Sequence, residues 1–322
     1  MKKSIILIND LPANPEPDEQ DVIAQADAVE STMQSLGYQT GRLVFSLDLK
    51  NMKDKILKSD PEVVFNLVET VDDKAELIYL PVALLESMDV PYTGSGSYTM
   101  YVTSKKIAAK KHFRRLGIPT PDWFTSMSTQ KPVEAKKYIL KPMWEDGSVG
   151  ISDHSVIEMT REFRDEFFSD PKYKRYFLED YIDGREFNLS ILGGKEGPTV
   201  MPAAEILYVD YPEDKPKILG YASKWHEHSF EYNNTPRTFD LSPDDAPLVE
   251  KMIKICLRCW NGFDMKGFVR VDFRVDENNN PFVLEVNANP CISPDAGFIA
   301  ACRQGGFDYP AVVERIIYDA LT

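Results

Sequence analysis

The chain has 322 residues, and its 43% hydrophobic and 27% charged residues are typical of a folded globular protein and exclude a disordered or fibrous one. Its 37 basic and 51 acidic side chains give a net charge of −14, which disfavours nucleic acid and anionic membrane as partners. Four scattered cysteines indicate a reducing compartment, and no apolar run approaches the roughly 20 residues that cross a bilayer. We therefore expect a cytoplasmic protein of two or three domains.

The first predicted elements alternate between strand and helix. Short apolar runs predict strands at residues 4–8, 40–45 and 61–68. Residues 21–36 carry apolar side chains at spacings of three and four, which predicts an amphipathic helix, and a second helix is expected at 75–88. This alternation favours a parallel sheet with helices on both faces.

Two further units are expected after the first. Lysines and arginines dominate residues 104–116, which predict a helix capped by Ser104, and we interpret most of its charges as a solvated face. A small mixed unit with a glycine-containing loop at 145–150 follows, and the rest forms a larger unit with a β-hairpin and a closing helix. We place the domains at residues 1–103, 104–184 and 185–322.

The hairpin is predicted over residues 268–289, where side chains alternate between two faces. Arg270 and Asp272 share one face of the first strand, and Glu285 and Asn287 share one face of the second. If a four-residue turn closes the hairpin, Asp272 lies opposite Glu285 and Arg270 lies opposite Asn287.

Two carboxylates that face each other across a β-ladder repel, so a positive charge must lie between or beside them. Oxygen ligands from Asp, Glu and Asn suit Mg²⁺, which binds through few carboxylates and through substrate phosphates. The alternative is a solvated polar face on which Arg270 and Arg274 neutralise the acids. The pattern alone leaves both interpretations open.

Seven short blocks occur in a fixed order: PYTGSG at 91–96, YILKP at 138–142, EDGSVG at 145–150, FLEDYIDGREF at 177–187, YASKW at 221–225, VRVDF at 269–273 and LEVNANP at 284–290. Each is a weak pattern alone, but the ordered set resembles the ATP-grasp superfamily and, within it, the D-alanine–D-alanine ligases. The resemblance implies an ATP-grasp fold of the α/β class with α+β lobes, in which an N-terminal parallel-sheet domain precedes two lobes that hold ATP between them.

The resemblance also implies roles for individual residues. Eight match nucleotide-binding positions of the family: Lys105 and Lys141 for the phosphates, Glu145 and Gly147 in the covering loop, Glu179, Asp180 and Ile182 for the adenine edge, and Glu186 for the ribose. Three are catalytic candidates: Arg270, the loop residue Lys224, and Ser148 beside the family's loop serine position. Asp272, Glu285 and Asn287 match the magnesium ligands, which implies ATP and two Mg²⁺ ions as cofactors, with Mn²⁺ as a substitute.

The family chemistry implies a carboxylate–amine ligase. A carboxylate attacks the γ-phosphate of ATP to give an acylphosphate, and an amine then displaces phosphate to form an amide. The implied partners are ATP, a small carboxylic acid and an amine, and relatives suggest a homodimer. An ATP-grasp kinase for a small molecule and a nucleotide-binding regulatory protein without turnover are the alternatives.

Several residues depart from the family in the half of the site that binds amino acids. Gly147 and Trp225 stand where the family has a serine and a tyrosine, Cys291 stands for a glycine, and Ala296, next to Asp295, replaces the serine that holds the second substrate's carboxylate. These changes favour a second substrate that is uncharged or carries a cation near Asp295, and they predict poor dimerisation of D-alanine.

An N-terminal glutamate of the family binds the ammonium group of the first substrate. It could correspond to Glu19, Gln20 or Asp21, and the sequence does not distinguish these three residues. The family's HG-x-x-GEDG stretch is also absent, since residues 66–74 contain neither histidine nor glycine.

Overall fold

The structure of the protein is a computed structural model that describes residues 2–12, 14–144 and 147–322, with residues 17–19 described by their backbone alone. Its first elements are β1 (Lys2–Ile8), α1 (Pro17–Ser35), β2 (Tyr38–Val44), α2 (Leu49–Ser59), β3 (Val63–Asn66) and α3 (Tyr79–Glu86). Strand β1 lies between β2 and β3 and runs parallel to both, which confirms the predicted parallel sheet. Because side chains alternate along β1, Ile6 and Ile8 pack with α1, whereas Ile5 and Leu7 pack with α2.

The predicted basic helix is interrupted at its start. Two helices, α4 (Ser97–Ser104) and α5 (Lys106–Arg115), are separated by Lys105, whose backbone is extended. Ser104 is therefore not a helix cap, and its hydroxyl instead donates to the Tyr101 carbonyl at 3.2 Å. The interpretation of the charges as a solvated face is wrong for Lys106 and Lys110, whose side chains are 11% and 1% exposed.

The central segment forms a second, antiparallel sheet. Its elements are β4 (Trp123–Thr125), β5 (Lys137–Pro142), β6 (Val156–Glu158), α6 (Arg161–Ser169) and β7 (Tyr176–Asp180). The strands are ordered β4–β7–β5–β6. Tyr138 and Leu178 face a small core on one side of the sheet, and alternation directs Lys141 and Glu179 to the opposite side, where they line a cavity.

A third sheet contains the predicted hairpin. Its segment consists of β8 (Arg185–Leu192), β9 (Thr199–Val200), β10 (Ala204–Ile206), α7 (Tyr221–Trp225), α8 (Phe230–Asn233), β11 (Arg237–Thr238), α9 (Ala246–Gly262), β12 (Phe268–Val275) and β13 (Pro281–Asn287). The strand order is β11–β10–β8–β12–β13, and β9 pairs with β8. Val271 and Phe273 of β12 are buried against Met252 and Cys256 of α9, so the polar face of β12 is turned away from this core.

The hairpin brings together the four polar side chains that the sequence predicts to meet. Asp272 lies opposite Glu285, and Arg270 lies opposite Asn287. Strand β8 pairs with the other edge of β12, which places Asn188 beside Asp272. These pairings confirm the predicted register at this end of the hairpin.

The turn of the hairpin differs from the prediction. The Asp276 amide donates to the Asn280 carbonyl at 3.1 Å, so three residues rather than four form the turn. A β-bulge offsets this difference, because Phe273 pairs with Val283 and Leu284 is left as an extra residue. Val283 is therefore buried in the core, whereas Leu284 lines the cavity beside Glu285.

The chain ends in α10 (Gly297–Gln304) and α11 (Tyr309–Leu321). These two helices pack against the first sheet, where Phe298 and Ile316 share a core with Ile6 and Phe65. Each sheet lies within one of the three predicted domains, and the domain boundaries themselves stay a prediction. Within the described ranges, every helix is too short or too polar to cross a membrane.

Candidate active site

A cavity of about 520 Å³ lies where the second and third sheets face each other. Segments of the first sheet's domain also reach it through Asp21 and Glu69. Of the fourteen site residues predicted from the sequence, twelve line this cavity: Lys141, Gly147, Ser148, Glu179, Asp180, Ile182, Glu186, Lys224, Arg270, Asp272, Glu285 and Asn287. Glu145 lies outside the described residues, and Lys105 does not line the cavity.

Asp272 is held by an arginine and an amide. Arg270 donates to its two oxygens from Nε at 2.7 Å and from a terminal nitrogen at 2.8 Å, and Asn188 Nδ2 donates at 2.8 Å. This bidentate pair fixes the planes of both groups. This geometry agrees with both hypotheses drawn from the hairpin pattern. Arg270 neutralises Asp272, as the hypothesis of a polar face requires, and the same face lines a cavity, as the hypothesis of a magnesium site requires.

Glu285 is the other carboxylate of the ladder. Burial alone would raise the pKa of its carboxyl group, but Lys106, Lys224, Arg270 and Lys141 together lower that pKa below its usual range. The Lys106 ammonium is 3.2 Å from Glu285 Oε2. Glu285 is therefore a charged carboxylate surrounded by cations.

The oxygens of Asp272, Glu285 and Asn287 form a donor set on one cavity wall. No cluster of three or more His, Cys, Asp or Glu side chains with metal-binding geometry occurs in the described part of the chain, so an all-carboxylate cage is not formed there. Two carboxylates and an amide oxygen fit Mg²⁺, which takes its remaining ligands from water and phosphate. The residues present thus fit the ion that the sequence implies.

Lys106 lines the cavity, whereas the sequence led us to expect Lys105 there. Lys105 Nζ donates to the Tyr101 hydroxyl at 2.8 Å and lies 4.1 Å from the centre of the Tyr101 ring. Lys106, the first residue of α5, points into the cavity instead. The family resemblance pointed to Lys105, and the predicted helix began at Ser104 rather than at Lys106.

Glu179 is enclosed by two lysines. Its side chain is 1% exposed, and its two oxygens form ion pairs with Lys110 and Lys141. Burial opposes the charged form, but Lys110 and then Lys141 outweigh it and lower the pKa of Glu179. Lys141 lines the cavity, whereas Lys110 lies behind Glu179 and does not.

The side chains expected at the adenine edge and the ribose also have protein partners. Asp180 forms an ion pair with Lys136 at 2.6 Å. Glu186 accepts a hydrogen bond from the Tyr208 hydroxyl at 2.5 Å and lies 3.3 Å from Arg274. Apolar side chains line the same cavity, among them Ile139, Ile182, Ile206, Ile218 and Leu284.

The loop around Gly147 and the segment around α7 meet over the cavity. Gly147 and Ser148 both adopt left-handed backbone conformations, with φ of 63° and 66°. The Trp225 indole nitrogen donates to the Gly147 carbonyl at 3.1 Å, and the Ser148 hydroxyl donates to the Leu219 carbonyl at 2.7 Å. Two positions that depart from the family pattern, Gly147 and Trp225, are therefore bonded to each other.

Lys224 precedes Trp225 on α7 and points into the cavity. Burial, followed by the nearby Arg270, lowers the pKa of its ammonium group, while Glu285 and Asp272 counteract that effect. A short helix, α7, carries both Lys224 and Trp225, so the contact of the indole with the opposite loop also holds the lysine in place.

One end of the cavity is acidic. Asp21 lines it, whereas Gln20 is exposed and bonds to the Pro15 carbonyl at 2.8 Å, and the side chain of Glu19 lies outside the described residues. The Cys291 thiol donates to Asp21 Oδ2 at 2.7 Å. Burial, followed by Asp21, raises the pKa of this thiol well above its usual value, so Cys291 is a protonated donor.

Arg237 is a cavity residue that the sequence analysis missed. It begins β11, and its guanidinium interacts electrostatically with Arg270 and Asp295. A Cβ atom built on Gly297 would lie 3.2 Å from one of its terminal nitrogens, so the guanidinium lies against the first turn of α10. It makes no hydrogen bond or ion pair with any residue that the structure describes. An isolated arginine in a strand of two residues has no pattern by which the sequence could identify it.

Comparison with known proteins gives one consistent result. The family model "D-ala D-ala ligase C-terminus" matches residues 113–318. A D-alanine–D-alanine ligase of Aquifex aeolicus (strain VF5) is 28% identical over 295 residues, which cover 90% of this chain and 92% of that protein. A second such ligase, from Synechococcus sp. (strain JA-2-3B'a(2-13)), is 31% identical over 249 residues, which cover 74% of this chain and 70% of that protein.

Solved structures agree in fold. The crystal structure of D-alanine–D-alanine ligase from Bacillus anthracis complexed with ATP superposes with a TM-score of 0.75 at 20% identity, covering 100% of this chain and 98% of that chain. The D-alanine–D-alanine ligase from Coxiella burnetii gives a TM-score of 0.67 at 18% identity, covering 99% and 94%. At these identities the comparison concerns the fold.

Proposed function

Because the chain belongs to the D-alanine–D-alanine ligase family and is an ADP-forming carbon–nitrogen ligase with the ATP-grasp fold, we propose that it joins a carboxylic acid to an amine other than the pair of D-alanines. One observation carries this proposal. The cavity is lined by Lys141, Lys224, Arg270, Asp272 and Glu285, which are implied for ATP and its metal, while Trp225, Cys291, Asp295 and Ala296 differ from the family in the part implied for amino acids.

The reaction proceeds in two steps. The carboxylate of the acid attacks the γ-phosphorus of ATP, so that a P–O bond to ADP breaks and an acylphosphate forms. The amine then attacks the acyl carbon, phosphate leaves with the C–O bond electrons, the nitrogen loses a proton, and an amide results. Lys106, Lys141 and Lys224 hold the phosphates, and Arg270 stabilises the negative charge that develops on the transferring group.

Asp272, Glu285 and Asn287 would hold Mg²⁺, and we expect two ions with Mn²⁺ as a substitute. When bound, the metal neutralises charge on the phosphate oxygens. The bidentate bond from Arg270 to Asp272 keeps one of these carboxylates oriented before the metal arrives.

The acidic end of the cavity suits the ammonium group of the first substrate. Asp21 and Glu69 both line it, and the Cys291 thiol orients Asp21 by donating to its Oδ2. Asp21 thus takes the role of the family's N-terminal glutamate. We infer that the acid is an amino acid or a peptide-like molecule with an ammonium group near its carboxylate.

Arg237 refines the prediction for the second substrate. Ala296 lacks the hydroxyl that would hold a carboxylate, but the Arg237 guanidinium lies against the next residue, Gly297. Beside it, Asp295 supplies a negative charge. We infer that the amine substrate carries an anionic group that meets Arg237 and a cationic or hydrogen-bond-donating group that meets Asp295.

Replacing Arg237 with methionine should raise the KM for the amine substrate about tenfold or more, because a charge-assisted hydrogen bond to the substrate is lost. The KM values for ATP and for the acid should stay near those of the unchanged enzyme. Steady-state kinetics with each substrate varied in turn measures this, and Arg161→Met, at an exposed position on α6, is the matched control. An equal rise in all three KM values would argue against a role in amine selection.

D-Alanine should be a poor substrate pair with itself. Its condensation should proceed at no more than about one hundredth of the rate with the cognate acid and amine, because a site built for larger polar groups leaves those groups unpaired around alanine. ADP release from ATP and D-alanine alone, compared with the best pair found, tests this expectation. Rapid formation of the dipeptide would refute the divergent substrate pair.

The test of the proposed function is ADP release from ATP and Mg²⁺ across a panel of amino acids, dipeptides and polyamines, singly and in pairs. ADP release that requires both an acid and an amine supports the ligase. A phosphorylated small molecule formed without an amide would instead indicate a kinase, and ATP binding without turnover would indicate a regulatory protein. Homodimerisation, a cytoplasmic location and the lack of nucleic-acid partners stay predictions.

A further inference from the structure

Lys110 is a buried lysine that the proposed mechanism does not use. Its side chain is 1% exposed and lies outside the cavity lining, so it cannot contact ATP directly. Its ammonium forms an ion pair with Glu179 Oε1 and donates to Thr120 Oγ1 at 2.8 Å, and that hydroxyl donates to the Val283 carbonyl at 2.8 Å. Lys110 is thereby anchored to β13, the strand that carries Glu285.

Glu179 connects Lys110 to the cavity. One oxygen of Glu179 contacts Lys110, and the other accepts a hydrogen bond from Lys141. The side chains of Lys110 and Glu179 are each 1% exposed, whereas that of Lys141 is 16% exposed and lines the cavity. The three groups thus form a row of positive, negative and positive charges that runs from the protein interior to the nucleotide end of the site.

The order of charges matters because a buried carboxylate without a cation is strongly unfavourable. If Lys141 were the only partner of Glu179, moving its ammonium towards a phosphate would leave the carboxylate uncompensated. With Lys110 behind it, Glu179 keeps one cation when Lys141 turns towards the cavity. The inner lysine therefore determines how easily the outer lysine can leave Glu179.

We propose that Lys110 is a positioning residue that compensates Glu179 and so releases the Lys141 ammonium to bind the phosphates of ATP. The proposal rests on the use of ATP by this enzyme. It assigns a function to a residue of the basic helix for which the sequence pattern indicated only a solvated surface.

Replacing Lys110 with methionine should therefore weaken ATP binding about tenfold or more, because Lys141 then remains paired with Glu179. The effect should appear in the dissociation constant and the KM for ATP more than in kcat at saturating ATP. Adding Glu179→Gln to Lys110→Met removes the buried charge that holds Lys141, so the double variant should bind ATP more tightly than Lys110→Met alone. For the same reason, Lys110→Met should have little effect on ATP binding in a protein that already carries Glu179→Gln.

The experiment is a double-mutant cycle of Lys110→Met and Glu179→Gln, read by calorimetric titration with ATP and Mg²⁺ and by thermal unfolding of each variant. Lys111→Met, at the exposed neighbouring position on α5, is the matched control. Lys110→Gln, which removes the charge but can still hydrogen-bond, replaces Lys110→Met if that variant does not fold. Equal ATP affinity of Lys110→Met and the unchanged protein, or a cycle in which the two effects simply add, would overturn the proposal. Failure of the unchanged protein to bind ATP would instead count against the proposed function and, with it, this inference.

Discussion

Arg270→Lys should reduce kcat by about 10²- to 10³-fold while the protein remains folded. Lysine keeps the positive charge but loses the planar set of donors that both grips Asp272 and faces the cavity. A single ammonium cannot form the bidentate pair and stabilise a transferring phosphoryl group at the same time. Loss of one preorganised donor typically lowers kcat by about the factor expected here. Rapid-quench measurement of ADP formation with a cognate acid and amine gives the rate directly.

The control for this variant is Arg161→Lys, which changes an exposed arginine in the same way. The melting temperatures of both variants should be compared with that of the unchanged protein, since loss of a buried pair also affects stability. A kcat within about threefold of the unchanged enzyme would mean that any nearby cation suffices, and the catalytic role of Arg270 would be withdrawn.

Asp272→Asn should be similarly severe, with kcat reduced by about 10²- to 10³-fold, and it should also change the response to metal. The substitution keeps the size of the side chain but removes the charge that would hold Mg²⁺. A metal ion contributes several kcal/mol to charge stabilisation in the transition state, which corresponds to roughly the expected reduction in kcat. Activity should then require a much higher Mg²⁺ concentration. Titrations of activity and of ATP affinity against Mg²⁺ measure both effects.

Asp272→Asn distinguishes the two interpretations of the hairpin pattern. If the acid only balances Arg270 on a polar face, the variant should lower the melting temperature and leave the Mg²⁺ dependence unchanged. Asp240→Asn, at an exposed position, is the control for loss of one acidic charge. An unchanged Mg²⁺ titration would therefore remove Asp272 from the proposed metal ligands.

The hairpin shows which parts of a strand pairing can be predicted from the alternation of polar and apolar residues. The pairing of Asp272 with Glu285 follows from alternation near the end of the strands, where the ladder is regular. The shorter turn and the β-bulge each shift the strand pairing by one residue, and the two shifts cancel. The burial of one face of β12 constrains only the net shift, so alternation does not reveal either shift separately. The sequence therefore predicts the site pair correctly with a turn that is one residue too long.

Other features depended on contacts that no local pattern contains. Lys106 faces the cavity because the chain breaks between α4 and α5, and the preceding segment is itself helical, so nothing in the sequence marks the break. Asp21 is distinguished from its neighbours by lining the cavity and by contact with Cys291, which lies 270 positions away. Arg237 reaches the site through an edge strand of two residues. Tertiary contacts of this kind bring Lys106, Asp21 and Arg237 to the cavity, whereas the twelve predicted residues that line it lie within the ordered motifs.

The core shared by the first sheet and the last two helices has a consequence for biosynthesis. Ile6 and Phe65 are synthesised well before Phe298 and Ile316, which cover the same face of the sheet. Although α1 covers part of that face, the rest must stay exposed, or be shielded by a chaperone, until α10 and α11 have been made. Complete folding of the first domain is thus expected to wait for the synthesis of α10 and α11, even though its strands are adjacent in sequence.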